Sequence, residues 1–206
     1  MINIDVLLAY GAAYKNVSIN EAIFNEGHAC SFYYQLVSGR LRWVNTDNEG
    51  KECIHSIVEA GECFGEMALF DDKPYIASVI ADEESVVIRL HKPDFLELIK
   101  NNSDINFSFT KIISKMLRFK ISVITSLASH SPENTITNLL NYLKAENKSF
   151  FGDRYQLNLT RQQIAGMTGL RVETVIRTMR NMHDNGKLEI LKGKVFCSNR
   201  IHAVTA

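Results

Sequence analysis

Apolar and polar positions alternate in short runs along residues 17–90, first around Ala22-Ile23-Phe24 and then through Phe32-Tyr33-Tyr34-Gln35-Leu36-Val37. Alternation at period two places apolar side chains on one face of an extended chain, the mark of a half-buried strand. Ser38-Gly39 supplies a turn, and Arg40-Leu41-Arg42-Trp43-Val44 is expected to return as the partner of the preceding strand. Asp47-Asn48-Glu49-Gly50-Lys51 reads as a second hairpin loop, with further strands over 52–58, 77–81 and 85–90. Many short strands at regular turn spacing predict a β-barrel or jelly roll.

The period lengthens after His91-Lys92-Pro93. Phe109, Ile112, Met116, Phe119 and Val123 step by three and four like the a and d positions of a long helix, and a second stripe runs through Ile113, Leu117, Ile124 and Leu127. A helix with two apolar stripes must bury both. One is expected against its own barrel and the other against the same helix of a second copy, with Phe109, Ile112, Met116, Phe119 and Val123 assigned to that dimer interface. Ser131 and Pro132 suit an N-cap and a first helical position, and Ile136, Leu139, Leu140 and Leu143 give the following helix an apolar face. The stretch 129–132 is therefore read as a hinge. It divides the chain into a sensor barrel at 1–100, a dimerisation helix at 101–130 and a third domain at 131–206.

Residues 159–177 are the most informative. Thr160 and Gln163 form a capping box, so a helix starts there, with Ile164, Ala165 and Met167 as its inner face. Gly169 offers the turn glycine of a helix-turn-helix, and a second helix runs over 171–184 to the cap at Asn185-Gly186. Val172, Val175 and Met179 share its inner face, leaving Glu173, Thr174 and Arg177 outward near its N-terminal half, where a recognition helix enters the major groove. Arginine donates two hydrogen bonds to guanine, glutamate accepts from cytosine, and at i,i+4 the acid is placed to hold the guanidinium. Leu188-Glu189-Ile190-Leu191 and Val195-Phe196-Cys197 flank Lys192-Gly193-Lys194, a hairpin wing with a basic tip for phosphate. The predicted class is thus α+β: an N-terminal β-barrel or jelly roll, a long dimerisation helix and a C-terminal winged helix-turn-helix.

Charge supports that division. Residues 131–206 hold eleven Lys and Arg against six Asp and Glu, a balance of +5, and the other 130 residues hold twelve against seventeen, a balance of −5. A basic end on a neutral chain points to a polyanionic partner. The 206 residues contain no run approaching the ~18 apolar positions of a membrane helix, and the start, Met1-Ile2-Asn3-Ile4-Asp5, lacks the basic residues of a secretory signal. A cytoplasmic protein is expected, without a membrane partner. Cys30, Cys53, Cys63 and Cys197 are scattered and are read as reduced, mostly buried thiols, with no iron–sulfur or zinc framework. A haem, redox or metal sensor would rest on His28-x-Cys30 and Cys53-x-His55, each pair on one face of a strand. A cupin-like metal enzyme would need His28, His55 and His91 in one constellation, and no shared motif joins them, so no catalytic residue is assigned.

The order of these parts resembles the CRP/FNR family, the cyclic-AMP receptor and fumarate–nitrate regulator proteins, over nearly the whole chain. Phe64-Gly65-Glu66-Met67-Ala68-Leu69-Phe70 resembles the family's phosphate-binding cassette, and residues 160–177 its DNA-reading unit. The resemblance implies that Thr160, Arg161, Gln162 and Thr174 approach DNA phosphates and that Glu173 and Arg177 read bases, with Arg171 counted in the same set. Val172-Glu173-Thr174-Val175-Ile176-Arg177 is closer to the fumarate–nitrate branch, with Ile176 in place of a typical serine. It also implies an effector pocket of Phe64, Gly65, Glu66 and Met67, completed by Tyr75 and Ile76, where cyclic-nucleotide binders carry arginine and serine or threonine. Phe119 and Lys120 stand where long-helix hydroxyls meet adenine. A phosphate in a low-dielectric pocket needs a cation or several donors. Tyr75 and Ile76 supply one hydroxyl, which points away from cyclic AMP, Lys120 and Lys73 being the cations placed to compensate. Glu66 is read as a structural carboxylate accepting backbone N–H groups at the start of the 65–69 turn. No cysteine precedes Cys30, so the branch's N-terminal cysteine cluster is absent. The implied partners are double-stranded DNA with a palindromic operator, a second copy of the chain, RNA polymerase and a small-molecule effector that the sequence does not name.

Overall fold

The structure, a computed structural model, describes residues 1–128 and 131–197, the side chains of 126–128 excepted. Ser129 and His130 of the expected hinge, Arg200 of the basic third and the Leu127 side chain lie outside the described residues. The elements are α1 (Ile4–Ala9), β1 (Ala13–Val17), β2 (Ala22–Phe24), β3 (Phe32–Ser38), β4 (Arg40–Thr46), β5 (Glu52–Glu59), β6 (Cys63–Phe64), α2 (Met67–Phe70), β7 (Ser78–Ala81), β8 (Ser85–His91), α3 (Lys92–Asn101) and α4 (Ser103–Ala128). They continue as α5 (Pro132–Ala145), β9 (Phe150–Phe151), β10 (Gln156–Leu157), α6 (Arg161–Thr168), α7 (Val172–Asp184), β11 (Glu189–Leu191) and β12 (Lys194–Phe196). Two compact units divide within α4, the first ending at Ser114 and the second beginning at Lys115.

In the first unit the strands make two four-stranded sheets, β1-β8-β3-β6 and β2-β7-β4-β5, jelly-roll-like rather than a closed barrel. One pairing differs from expectation: β4 does not return along β3. Both edges of β3 are taken, by β8 with Arg89 opposite Tyr34 and by β6 with Phe64 opposite Tyr34, while β4 lies between β5 and β7. The reason is the corner at Gly39. Its φ of +94° and its closeness to Ser85 carry the chain across to the other sheet, and an added Cβ would lie 2.2 Å from Ser85 Oγ.

Period-two alternation sorts the β3 side chains by face. Tyr33 turns to the helices, where its ring stacks on Phe95 at 4.8 Å in a cluster with Leu7, Leu98 and Phe109. Its hydroxyl donates to Gln35 Oε1 (2.7 Å), and Gln35 donates in turn to the Ile2 carbonyl (3.1 Å). Tyr34 turns inward, its centroid 5.5 Å from Phe64 and 5.7 Å from Phe24 of the second sheet.

On α4, Phe109 is buried, 5.4 Å from Phe95, and Phe119 is buried with its ring 3.8 Å from that of Tyr142 on α5. This corrects their assignment to a partner chain: both phenylalanines find aromatic partners within their own chain, with Ile112, Met116 and Val123 half-buried on the same stripe. The exposed stripe is the other one, Ile113 (38%), Leu117 (58%) and Ile124 (66%), joined by Ile121 (55%).

The second unit packs α5, α6 and α7 with a sheet of order β11-β12-β10-β9. Ser131 caps α5 by accepting from the Asn134 N–H, with Pro132 in the first turn, and Ile136, Leu139, Leu140 and Leu143 are buried. Lys192 and Gly193 have φ of 50° and 79°, the two left-handed residues that a tight hairpin turn demands, and they join β11 to β12 as the wing.

Candidate nucleic-acid interface and effector site

The capping box forms as its residues dictate. Gln163 N–H donates to the Thr160 hydroxyl and Thr160 N–H to the Gln163 side-chain oxygen, both at 3.0 Å. Ile164, Ala165 and Met167 are buried, and Gly169 ends α6 in the left-handed conformation at φ 71°. Helix α7 buries Val175, Thr178, Met179 and Met182. Arg171, Glu173 and Arg177 are exposed along its N-terminal half, Thr174 is half-buried, and Thr160 and Gln162 are exposed at the start of α6. The expected set thus shares one surface-facing helix-turn-helix, with the basic wing tip Lys192 and Lys194 exposed in the same unit.

Two side chains there carry more detail than expected. Arg161 is half-buried, and that burial lowers its pKa from the usual guanidinium value, so a phosphate oxygen at its head group would offset lost hydration. Glu173 and Arg177, expected to clasp each other, form no ion pair among the described residues. An exposed pair gains little against the rotamer freedom of two long side chains, which leaves both available to a partner.

In the first unit Phe64, Gly65, Glu66 and Tyr75 come together, whereas Met67 and Ile76 are exposed. Gly65 has φ +73°, and a Cβ there would lie 2.7 Å from Phe24 Cζ and 3.0 Å from Tyr75 Cε1. Tyr75 lies almost parallel on Phe24, centroids 3.7 Å apart, and its hydroxyl donates to the Phe32 carbonyl at 3.4 Å. Burial pushes that phenol well above its ordinary value, so it is a neutral group. The Glu66 side chain makes no cap hydrogen bond to α2. Its backbone is already helical there (φ −64°, ψ −27°), whereas side-chain capping needs an extended residue. The Glu66 carboxylate is nonetheless buried, and after burial itself it is the main influence raising the Cys63 thiol. Lys73 is exposed, and Phe119 and Lys120 belong to the second unit, Lys120 Nζ lying 5.7 Å from the Phe119 centroid.

Phe24 was not foreseen at this site. The only trace it leaves in sequence is the density of rings at Phe24, Phe32, Tyr34, Phe64 and Tyr75, and nothing local says that they meet.

Residues 14–102 match the cyclic nucleotide-binding domain family, and residues 135–200 match the Crp-like helix-turn-helix domain family. The chain belongs to the CRP/FNR family. Its members are DNA-binding transcription regulators. The chain is 28% identical over 164 residues to the cAMP-activated global transcriptional regulator CRP of Salmonella typhimurium, covering 79% of this chain and 78% of that protein. It is 25% identical over 173 residues to the cyclic AMP receptor protein of Thermus thermophilus, covering 84% and 78%. In fold it is similar to the c-di-GMP-responsive global regulator CLP of Xanthomonas campestris, with a TM-score of 0.76 at 19% identity over 96% of this chain and 98% of that one.

Within this CRP/FNR chain the candidate metal pairs do not gather. His28 and Cys30 lie in the loop before β3, not on a strand, which corrects that expectation. Cys53 and His55 do share a face of β5, but the His55 ring bonds Asn45 Oδ1 and lies against Trp43 (5.4 Å). Among the described residues no three His, Cys, Asp or Glu side chains are placed to hold a metal, and no helix is long and apolar enough to cross a membrane. Of the four cysteines Cys197 is buried, Cys30 and Cys63 are half-buried with the Cys63 thiol itself desolvated, and Cys53 is exposed, so Cys53 is the one that departs from the expectation of mostly buried thiols. Burial pushes the Cys197 thiol up to about 11. The thiolate is the reactive species, and a thiol with that pKa is about 0.1% ionised at pH 8. Iodoacetamide at pH 8 will therefore alkylate Cys53 first and leave Cys197 unmodified until the protein unfolds, as read by peptide mass spectrometry.

Proposed function

We propose that this CRP/FNR chain acts as a homodimer on a palindromic operator, reading a G·C pair in each half-site with Glu173 and Arg177. The observation that carries the reading is that α7 commits Val175, Thr178, Met179 and Met182 to its own core and leaves Glu173 and Arg177 exposed and unpaired with each other. Thr160, Arg161, Gln162, Arg171 and Thr174 contact phosphates and fix the helix in the groove. The exposed stripe of α4 joins two copies, whose recognition helices enter major grooves about 34 Å apart. The protein works in the cytoplasm, with RNA polymerase as its partner at the promoter, and its sandwich regulates rather than catalyses. Domains at 1–100, 101–130 and 131–206 divide those duties.

The effector is not cyclic AMP. Where a cyclic phosphate would need a cation, the cassette offers a neutral, buried Tyr75 stacked on Phe24 and an exposed Ile76, and the space over Gly65 is closed by those rings. Tyr75 and Ile76 thus supply no cation for a nucleotide phosphate.

Selection from a random double-stranded oligonucleotide library, using the full chain without added ligand, tests the reading. An enriched palindrome with a G·C pair in each half-site is expected. Arg177→Ala should lose about 1–3 kcal/mol at that guanine, roughly 5- to 150-fold. An Arg177→Ala protein with unchanged base preference would sink the assignment.

A further inference from the structure

The second unit holds a cavity of about 490 Å³ that the proposed DNA contacts leave unused. Small-molecule sites span roughly 300–1,000 Å³. Its walls come from the turn between β9 and β10, the last turn of α7 and the two wing strands. Leu188 is buried there, and Tyr155 and Phe196 are half-buried, which gives the cavity an apolar and aromatic lining. Tyr155 takes the left-handed conformation at φ 49°, uncommon for a bulky residue. Its ring is fixed all the same, 6.2 Å from that of Phe150 and 5.2 Å from Lys144 Nζ.

Polar groups of both signs border that lining. Asp153 is exposed and makes no hydrogen bond or ion pair among the described residues. Arg154 donates to Glu189 Oε2 at 2.7 Å, which uses one of the five N–H groups of a guanidinium, and lies 5.0 Å from the Phe196 centroid. His183 Nδ1 is 3.4 Å from both the Ile190 nitrogen and the Leu188 carbonyl oxygen, so backbone occupies Nδ1 in either neutral tautomer. Nε2 is left without a partner among the described residues. A carboxylate at Nε2 selects the tautomer with its proton there, and the Ile190 N–H then donates to Nδ1.

We infer that this cavity binds a free aromatic amino acid. Its ammonium meets Asp153, its carboxylate meets Arg154 and His183 Nε2, and its ring lies against Tyr155, Leu188 and Phe196. A ligand of one sign would meet its like: an amine faces the Arg154 guanidinium, and an acid faces the carboxylates of Asp153 and Glu189. A zwitterion satisfies both, and charge-assisted hydrogen bonds are the strong ones. The rings of the lining suit an aromatic body, since stacked or edge-to-face pairs gain beyond the area they bury. Every residue of the site belongs to the second unit, and its occupancy does not depend on how α7 reads bases.

Three probes that share one aromatic body test the charge pattern. L-phenylalanine, phenethylamine (no carboxylate) and 3-phenylpropionate (no ammonium) are titrated into the full-length protein by isothermal calorimetry. Phenylalanine should bind, and each analogue should bind about tenfold more weakly or worse, having lost one charge-assisted contact. Asp153→Asn should weaken phenylalanine about tenfold and leave 3-phenylpropionate no weaker than before. Arg154→Gln should weaken phenylalanine likewise and leave phenethylamine no weaker. Both positions are exposed, so the two variants should melt like the wild type. No saturable binding of phenylalanine, an analogue that binds as tightly as phenylalanine, or phenylalanine binding that neither substitution weakens would overturn the inference. None of these outcomes bears on the enrichment of a palindrome, which tests the recognition helix separately.

Discussion

Leu117→Asp combined with Ile121→Asp is expected to give monomers that bind the operator at least a hundredfold more weakly. The two residues sit mid-stripe on α4 with Ile113 and Ile124, each between 38% and 66% exposed in the single chain. A carboxylate at either position is harmless to the lone chain, because water already reaches both sites and Phe109 and Phe119 keep their partners Phe95 and Tyr142. Between two helices the same carboxylates face each other in a desolvated seam, where like charges repel and lose hydration. Loss of the dimer then removes bivalent binding, worth about 10²–10⁴ in avidity. Sedimentation velocity reads the first effect, fluorescence anisotropy with a labelled operator the second, and circular dichroism checks that the helices remain. A double variant that stays dimeric would place the interface elsewhere.

The second large effect is expected at the corner between the sheets. Gly39→Ala should destabilise the first unit by about 3 kcal/mol, combining roughly 1–2 kcal/mol of left-handed backbone strain with about 1–3 kcal/mol of overpacking. The overpacking arises because the new methyl would sit 2.2 Å from Ser85 Oγ and 2.7 Å from Ser85 Cα, and backbone cannot swing aside as a long side chain can. Melting should fall by about 10–20 °C. Gly50→Ala is the control. It has φ +79° but nothing within 4 Å of the added methyl, so it bears the backbone strain alone. Equal losses in the two variants, measured by calorimetry, would show that the approach of Ser85 is not what makes residue 39 glycine.

That corner also marks where sequence reading stops being sufficient. The helix-turn-helix was legible because its rules are local: Thr160 and Gln163 are three apart, Gly169 ends its own helix, and Val175 and Met179 are one turn apart. The strand positions were legible for the same reason, through alternation. Their partners were not, because alternation says which face a side chain takes and nothing about which strand lies alongside. Ser38-Gly39 looks the same whether the chain folds back or crosses to another sheet, and Ser85, which decides it, is 46 positions from Gly39 in sequence. Strands β9 and β10 have two residues each, too few to show any period. On α4 both stripes were visible, but which one faces its own chain depends on Phe95 and Tyr142, and spacing within a helix carries no information about either.

The stacked rings over Gly65 have a kinetic meaning as well. For a ligand reaching Gly65 from the side its Cβ would occupy, Phe24 and Tyr75 come before backbone, and the two rings would have to part first. Entry is then set by how often the aromatic pair opens, so capture would level off at the opening rate however much ligand is supplied. The open fraction would also scale down the apparent affinity of anything that binds there. On that route residue 75 would be a doorkeeper in time as well as a missing cation in space, and a smaller side chain at position 24 would speed arrival without adding a single contact to the guest.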